Sequence, residues 1–465
     1  MIVMKFGGTS NRDAAAMANV IRIISDHRPE HPVIVISAIA NATNELEAAA
    51  RAAAAGDSYR AGEIVGGLMA RHFTMVDALV KGRERVRDLT SAFNVYRSEL
   101  ERLVQGVAIL RELTPRTMDA FCSYGERLSS RIIAAGLQEA GMEAVWIDAK
   151  DFMLTDSNFG RAMPVMNAVV SNLVRIARPL LDRGAIPVTQ GFIGVAATGE
   201  YTTMGRESSD FSASIIGAVM DAERVQIWTD VDGILTADPR MVPDVRKVRH
   251  MSFEEAFELS YFGAKVLHPN TMLPLLEKNI PVEIRNSLRP EGTGTLIGQP
   301  APGDVDGPTV KSITYAEHVA VVTVSPRRRA DQYLFWEEAF SVLSRCGVDA
   351  RTVTTSGYSI ACTIDGPFDN SSLKAGLEEF GHVAVLPGQA RISIVGSGLG
   401  GCAGLSNRVF DALAGVRISM IGYGASGLNL TVVVELTGLR KALMHLHAQF
   451  FGSTAVGGPF DVPFN

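Results

Sequence analysis

Four short segments gather residue types suited to phosphates and carboxylates. The first is Lys5-Phe6-Gly7-Gly8-Thr9-Ser10, which ends an apolar run beginning at Ile2. Paired glycines let backbone approach a ligand closely, N–H groups near a helix start attract anions, and a lysine adds a point charge. That is a phosphate-handling device in outline. The same letters also describe a plain turn with a solvated lysine. The Walker spacing G-x-x-x-x-G-K-[ST] is absent.

The second segment runs from Thr189-Gln190-Gly191-Phe192-Ile193-Gly194 to Gly205-Arg206-Glu207-Ser208-Ser209-Asp210. Arg206 has the planar fork that clamps a carboxylate. Ser208 and Ser209 offer hydroxyls, and Asp210 can hold an ammonium or orient a cation. A capped helix start would use Ser209 and Asp210 too, but has no need of the arginine. The third segment is Thr229-Asp230-Val231-Asp232-Gly233, continuing to Asp238-Pro239-Arg240. Its carboxylates suit ribose or magnesium-bound water, although Asp-Gly and Asp-Pro also mark turns. The fourth is Phe262-Gly263-Ala264-Lys265-Val266-Leu267-His268-Pro269, with Lys265 at an apparent helix start.

These segments must be held by something regular. Apolar runs at Ile2–Phe6, Val33–Ser37, Ala144–Asp148, Ile186–Thr189, Val225–Thr229 and Val282–Asn286 alternate with long helical patterns. Such alternation predicts an α/β domain around a mostly parallel sheet, with ligands beyond the carboxyl ends of its strands. A Pro/Gly-rich stretch, Gly298 to Pro308, then breaks the pattern. Beyond it, two units each read strand, helix, strand, strand. The first is His318–Val324, Phe335–Arg345, Arg351–Thr355 and Tyr358–Asp365. The second is Arg391–Val395, Leu405–Leu413, Val416–Tyr423 and Leu428–Glu435. A weak repeat of about 75 residues predicts two ferredoxin-like α+β modules.

Composition narrows the function classes. The chain has 465 residues, 47% hydrophobic, with net charge −6. That length implies two to four domains at roughly 150 residues each. An acidic chain whose one dense basic run is Arg327-Arg328-Arg329 lacks a nucleic-acid footprint. No apolar stretch is long enough to span a membrane, and the N-terminus has no signal-peptide layout. Cys122, Cys346, Cys362 and Cys402 are far apart and without metal spacing. They read as reduced thiols of a cytoplasmic protein. No metal cage is expected.

Taken together, the segments resemble the aspartate kinases of the amino-acid kinase family, over nearly the whole chain. The family's opening Lys-Phe-Gly-Gly-Thr-Ser stands at Lys5–Ser10. Its Ser-Ala loop ending Thr-Asn is Ser37-Ala38 to Thr43-Asn44, and its Gly-Glu-Arg-Leu-Ser is Gly125–Ser129. Gln-Gly-Phe-Ile-Gly is Gln190–Gly194, and Phe-Gly-Ala-Lys-Val-Leu-His-Pro is Phe262–Pro269. The C-terminal units resemble the family's paired ACT domains.

The resemblance implies a catalytic domain at 1–298, a linker at 299–310, and ACT domains at 311–388 and 389–465, with the C-terminal segment pairing back with the first ACT domain. It implies ATP- and Mg²⁺-dependent phosphorylation of the β-carboxylate of L-aspartate. Lys5 and Lys265 would contact the phosphoryl groups, and Gly7, Gly8 and Thr9 would shape the phosphate loop. Ser37, Thr43, Phe192 and Ser209 would line the aspartate site. Glu126 and Asp210 would face the substrate amine and Arg206 its α-carboxylate. Thr229, Asp230, Asp238 and Arg240 would lie on the nucleotide side. A homodimer or larger assembly, an amino-acid effector at the ACT domains, and no fused homoserine dehydrogenase are also implied.

Some positions depart from the pattern. The family's Gly-Arg-Gly-Gly-Ser-Asp has Glu207 and Ser208 in place of two glycines, and a nucleotide-loop tyrosine is Leu235. Thr352–Gly357 resembles the effector strand of lysine-sensitive relatives, but Arg351 and Gly357 stand where those carry acidic residues. Positive charge there disfavours a lysine effector. In the second unit, Met420–Ser426 resembles the serine-rich effector loop, again without its acid. The G-x-G-x-x-G of Gly396–Gly401 satisfies a dinucleotide fingerprint, but too little chain follows for a Rossmann domain. The alternatives are a kinase of another amino acid on this fold, or a catalytically silent ACT-domain sensor. Product analysis with different acceptors separates them.

Overall fold

A computed structural model describes residues 1–205, 208–264, 269–299, 309–327, 331–366, 371–452 and 460. Arg206, Glu207, Lys265 to His268, Arg328, Arg329 and most of the predicted linker lie outside the described residues. The chain divides into two compact units. One comprises Met1–Gly233 and Asn270–Gln299, the other Ile234–Pro269 and Pro300–Asn465. The division is not linear, because the excursion Ile234–Pro269 groups with the C-terminal part.

In the first unit the strands lie side by side in the order Ala144–Trp146, Ile186–Gln190, Val33–Ile36, Val3–Phe6, Val225–Thr229, Val282–Asn286 and Thr295–Ile297. All pairings run parallel except the last. Parallel strands need helical crossovers on the sheet faces, so the central strands carry unbroken apolar runs. Val3–Phe6 and Val33–Ile36 are buried at every residue. All six strands read from hydrophobic patterning are present.

The core joins these strands to the helices Ala14–Asp26, Ala42–Ala54, Ser58–Leu79, Arg83–Leu110 and Pro115–Glu139. The last starts cleanly: Thr114 caps it by accepting from the Thr117 amide, and Pro115 sits where no N–H is needed. It is buried from Phe121 to Leu137 except at half-buried Arg131. A small sheet of Leu154–Thr155, Ile193–Ala196 and Tyr201–Thr203 stands apart from the main one.

In the second unit, six antiparallel strands form one sheet in the order Ala350–Thr355, Ile360–Asp365, Thr309–Pro326, Gly381–Ser397, Asn429–Glu435 and Ile418–Tyr423. The two long strands pair over nearly their whole length, with register shifts between Ala316 and Val321. There the exposed Glu317 and His318 interrupt the apolar pattern, and His318 has φ 55°. A strand expected to start at His318 therefore begins at Thr309, and one expected at Arg391 begins at Gly381. Each module also gains a second helix, Ser371–Glu378 and Leu439–Phe451. With Gln332–Arg345 and Leu405–Ala412 these complete two ferredoxin-like modules with separate cores.

Candidate active site

The carboxyl ends of the parallel strands bring most of the predicted residues of the first unit together. Lys5 lies between Val35 and Ile227 in register. Its Nζ is 2.5 Å from Asp210 Oδ1, and each side chain is 11% exposed. Asp210 stands in the first turn of the helix Ser209–Val219, where the helix dipole favours an anion. Ser208 precedes that helix without capping it. Its hydroxyl instead donates to the Gly205 carbonyl at 2.6 Å.

After Phe6 the chain turns through Gly7 and Gly8 into a short 3₁₀ turn, Thr9–Asn11. Asn11 pins the turn by donating to the carbonyls of Phe6 and Gly7 at 3.3 and 3.0 Å. Gly7 N–H donates to the Trp228 carbonyl at 3.0 Å. These bonds do not use the amides of Gly8 and Thr9, and Thr9 is exposed. The turn thus offers an anion cradle next to a buried lysine.

Ser37 follows directly on the strand Val33–Ile36 and is half-buried, as is Thr43 in the first turn of the helix Ala42–Ala54. The helix Pro115–Glu139 packs onto the Ser37-Ala38 loop. A Cβ on Gly125 would sit 2.8 Å from that of Ala38, so glycine is what permits the approach. Ser129 Oγ donates to the Ser37 carbonyl at 2.8 Å, and Glu126 Oε1 accepts from the Ala38 amide at 3.2 Å. Glu126 is buried. Burial pushes its carboxyl up to about 8, against the pull of the Ala38 amide and the Lys5 charge.

Phe192 is buried at φ 67°, a conformation costly for an aromatic residue, and its amide donates to Ser212 Oγ at 3.0 Å. A Cβ on Gly191 would fall 2.7 Å from Ser209 Cβ. The Gln190–Phe192 turn is therefore pressed against the helix start that carries Asp210.

Thr229 ends its strand half-buried, and its hydroxyl donates to the exposed Asp230 at 3.2 Å. Sequence reading passed over Asn286 and Ser287 at the end of the neighbouring strand. Asn286 pairs with Thr229 in register and donates to Asp232 Oδ1 at 2.8 Å. Ser287 N–H donates to the Thr229 carbonyl, and Ser287 Oγ contacts Ser10 Oγ at 2.7 Å. The available signal was the one that revealed Lys5, a polar residue at the carboxyl end of a predicted strand.

Asp238 and Arg240 belong to the second unit. Arg240 donates to Asp238 through Nε and Nη2, at 2.6 Å for the shortest contact, and Tyr315 hydroxyl donates to the same carboxylate. The Arg240 guanidinium holds the Asp238 carboxyl below its usual range. Leu235 packs beside the apolar core of that unit. Arg351, expected to add positive charge at the effector strand, lies 3.7 Å from carboxylate oxygens of both Asp349 and Asp365. The Gly396–Gly401 fingerprint spans the end of the strand Gly381–Ser397 and a short 3₁₀ turn, Leu399–Gly401, and a Cβ on Gly396 would fall 1.9 Å from the Thr309 carbonyl. No described helix is long and apolar enough to cross a membrane.

Comparison with known proteins agrees with this geometry. The amino acid kinase family matches residues 1–286, and an ACT domain family matches 392–450. Lysine-sensitive aspartokinase 3 of Escherichia coli is 32% identical, over 97% of this chain and 99% of its own. Aspartokinase 1, chloroplastic, of Arabidopsis thaliana is 33% identical, over 97% of this chain and 80% of its own. The crystal structure of E. coli aspartokinase III with aspartate and ADP, its R-state, superposes with a TM-score of 0.83 at 32% identity, covering 97% of this chain and 100% of that one. The T-state of the same enzyme, with lysine and aspartate, gives 0.75 at 33% identity, covering 97% and 99%. An anion cradle and a buried Lys–Asp pair at the strand ends of one unit, two ferredoxin-like modules in the other, and relatives matched over 97% of this chain lead to one assignment: the chain belongs to the aspartokinases of the amino acid kinase family.

Proposed function

We propose that the protein transfers the γ-phosphoryl group of ATP to the β-carboxylate of L-aspartate, forming 4-phospho-L-aspartate and ADP. The carrying observation is the Lys5–Asp210 pair beside buried Glu126, at the edge of the Gly7-Gly8 turn. A carboxylate oxygen of aspartate attacks phosphorus, and the bond to the bridging oxygen of ADP breaks. The nucleophile is already ionised at neutral pH, so the protein need not remove a proton from it. What remains is positioning and charge stabilisation.

Lys5 and the Gly8 and Thr9 amides supply positive field to the phosphates, with Lys265 joining them. Asp210 and Glu126 receive the ammonium of aspartate, and Arg206 its α-carboxylate. Ser37, Thr43, Phe192 and Ser209 line the aspartate side. Thr229 and Asp230 lie on the nucleotide side, with Asp238 and Arg240 assigned there as well. Magnesium fits this donor set: Asp230 has an exposed carboxylate, and the ion favours oxygen ligands and water. When bound with ATP it supplies further positive charge to the phosphates.

Catalysis is assigned to 1–298, with 299–310 as linker. Amino-acid effector binding is assigned to 311–388 and 389–465. The protein acts in the cytoplasm as a homodimer or larger homo-oligomer. The test is ATP- and Mg²⁺-dependent aspartyl hydroxamate formation, with Lys5→Ala and Arg206→Ala as controls. Product from the natural protein, none from Lys5→Ala, and strongly reduced product from Arg206→Ala at a fixed low aspartate concentration is the expected result. Equal product from all three, or product only with another amino acid, rejects this reading.

A further inference from the structure

The helix Pro115–Glu139 carries a second buried carboxylate that the reaction does not call for. Asp119 precedes Glu126 by two helical turns, which puts both on one face. It is 2% exposed. Its Oδ2 accepts from the Gly160 amide at 2.8 Å and the Thr203 amide at 2.9 Å, and its Oδ1 accepts from Thr203 Oγ1 at 2.7 Å. One side chain thus ties the helix to a loop and to the end of the strand Tyr201–Thr203.

Thr203 precedes Arg206 by three residues in the chain. Ala162 N–H donates to the Thr203 carbonyl at 3.0 Å, so loop and strand are also tied to each other. Met204 N–H donates to the Phe192 carbonyl at 3.0 Å. The Gly205 carbonyl accepts from Ser208 N–H and Oγ. At the other end of the strand, the Tyr201 ring lies 4.5 Å from the Arg127 guanidinium, which comes from the same helix. Helix Pro115–Glu139 therefore grips both ends of Tyr201–Thr203 while presenting Glu126. A charged group this deeply buried is costly unless its hydrogen bonds are complete. Asp119 meets that condition with three donors, two of them backbone amides on separate segments.

We propose that Asp119 is a positioning residue for aspartate binding: through Thr203 and Gly160 it fixes the strand end that precedes, in the chain, the arginine assigned above to the substrate's α-carboxylate. The inference rests on the role assigned to Arg206 above. It separates substrate recognition from nucleotide handling, because Asp119 touches neither the Gly7-Gly8 turn nor the Thr229 strand end in any of its bonds.

The test uses the full-length enzyme and steady-state kinetics with aspartate and ATP varied separately, alongside thermal melts. Asp119→Ala should raise the aspartate KM by about tenfold or more and shift the ATP KM by less than about twofold. Asp119→Asn should restore much of the loss, since its carbonyl can accept both amides while the Thr203 hydroxyl turns to accept. Thr203→Val, milder for folding, should raise the aspartate KM by about threefold. Asp119→Ala combined with Arg206→Ala should be no worse than Arg206→Ala alone, because the two act as one unit.

Equal changes in both KM values overturn the inference. So does an unchanged aspartate KM in folded Asp119→Ala or Thr203→Val when Arg206→Ala raises it, and so do fully multiplicative effects in the double variant. If Arg206→Ala itself leaves the aspartate KM unchanged, the assignment of Arg206 fails, and the role of Asp119 fails with it.

Discussion

Each unit of the molecule contains a buried lysine–carboxylate pair, and the two pairs are built for different ends. In the first unit Lys5 meets Asp210 at 2.5 Å, with both side chains 11% exposed. In the second, Lys311 meets Glu255 at 2.8 Å, with side chains 6% and 1% exposed. Glu255 Oε2 also accepts from Ser252 N–H, closing a capping box at the start of the helix Phe253–Tyr261. That pair is shut in by its own fold and staples a helix to a strand. The Lys5 pair faces a glycine turn at the ends of parallel strands, where an incoming polyanion can compete for Lys5 and an ammonium for Asp210. The same two functional groups make a fastener in one place and a ligand site in the other, and the surroundings decide which.

The comparison breaks most visibly on substitution of the lysines. Lys5→Met should lower kcat by about a thousandfold or more, since it removes a charge aimed at the phosphates. Its melting temperature should change little, because Asp210 keeps the helix N-terminus. Lys311→Met should do the reverse. It leaves a buried carboxylate unpaired and should cost about 3–5 kcal/mol in denaturant unfolding, with kcat of the folded fraction within about threefold. Adding Glu255→Gln to Lys311→Met should recover most of that stability, since no buried charge remains. A Lys5→Met variant that unfolds while Lys311→Met abolishes turnover without loss of stability would invert the assignment.

A smaller effect comes from histidines buried in both units. His72, inside the helical layer of the first unit, has its ring pushed down to about 4 by burial. His447 in the second unit, sharing a 2.9 Å hydrogen bond with Thr236, is likewise lowered to about 4. The unfolded chain takes up these protons near 6.5 and the folded one only near 4. Stability from each is therefore complete above pH 6.5 and lost as the pH falls to 4, by about 1–3 kcal/mol for His72. Melting temperature against pH should show the decline, and His72→Leu should flatten its part of it.

The smallest signal is calorimetric. Burial, which pushes the Glu126 carboxyl up to about 8, favours its protonated form at pH 7 in the ligand-free protein. An ammonium placed beside it favours the ionised form, so aspartate binding should release up to one proton. Binding enthalpies at pH 7 in buffers of different ionisation enthalpy should reveal it, and Glu126→Gln should remove it. The linked stability term runs opposite to that of the histidines. Between 4.5 and 8 the folded state keeps a proton that the unfolded state has lost, so the contribution of Glu126 weakens as pH rises through that window.

How much was legible in the sequence follows the same contrast. Lys5 to Ser10 could be read because strand, turn and ligand groups are adjacent in the chain. The six strands of the first unit could be read because parallel strands buried on both faces leave apolar runs. Glu126 was visible only through resemblance, since its partner Ala38 lies on a distant segment and burial is a tertiary fact. Asp119 left no trace, because its three donors come from Gly160 and Thr203. The mid-strand join at Glu317-His318 hid the true start of the long strand, as exposed polar residues there read as an end. Asp238 and Arg240 sit in an excursion whose letters look like any loop, and nothing local reveals that it groups with the C-terminal unit.

That excursion bears on how such a protein can be taken apart or reassembled. Its helix Phe253–Tyr261 is held by partners from beyond the linker, Lys311 to Glu255 and Asn429 to Glu258. A gene cut at the linker would leave those two carboxylates without the partners they are folded against. Grafting a different C-terminal segment onto this kinase would have to exchange residues 234–269 with it to keep both contacts.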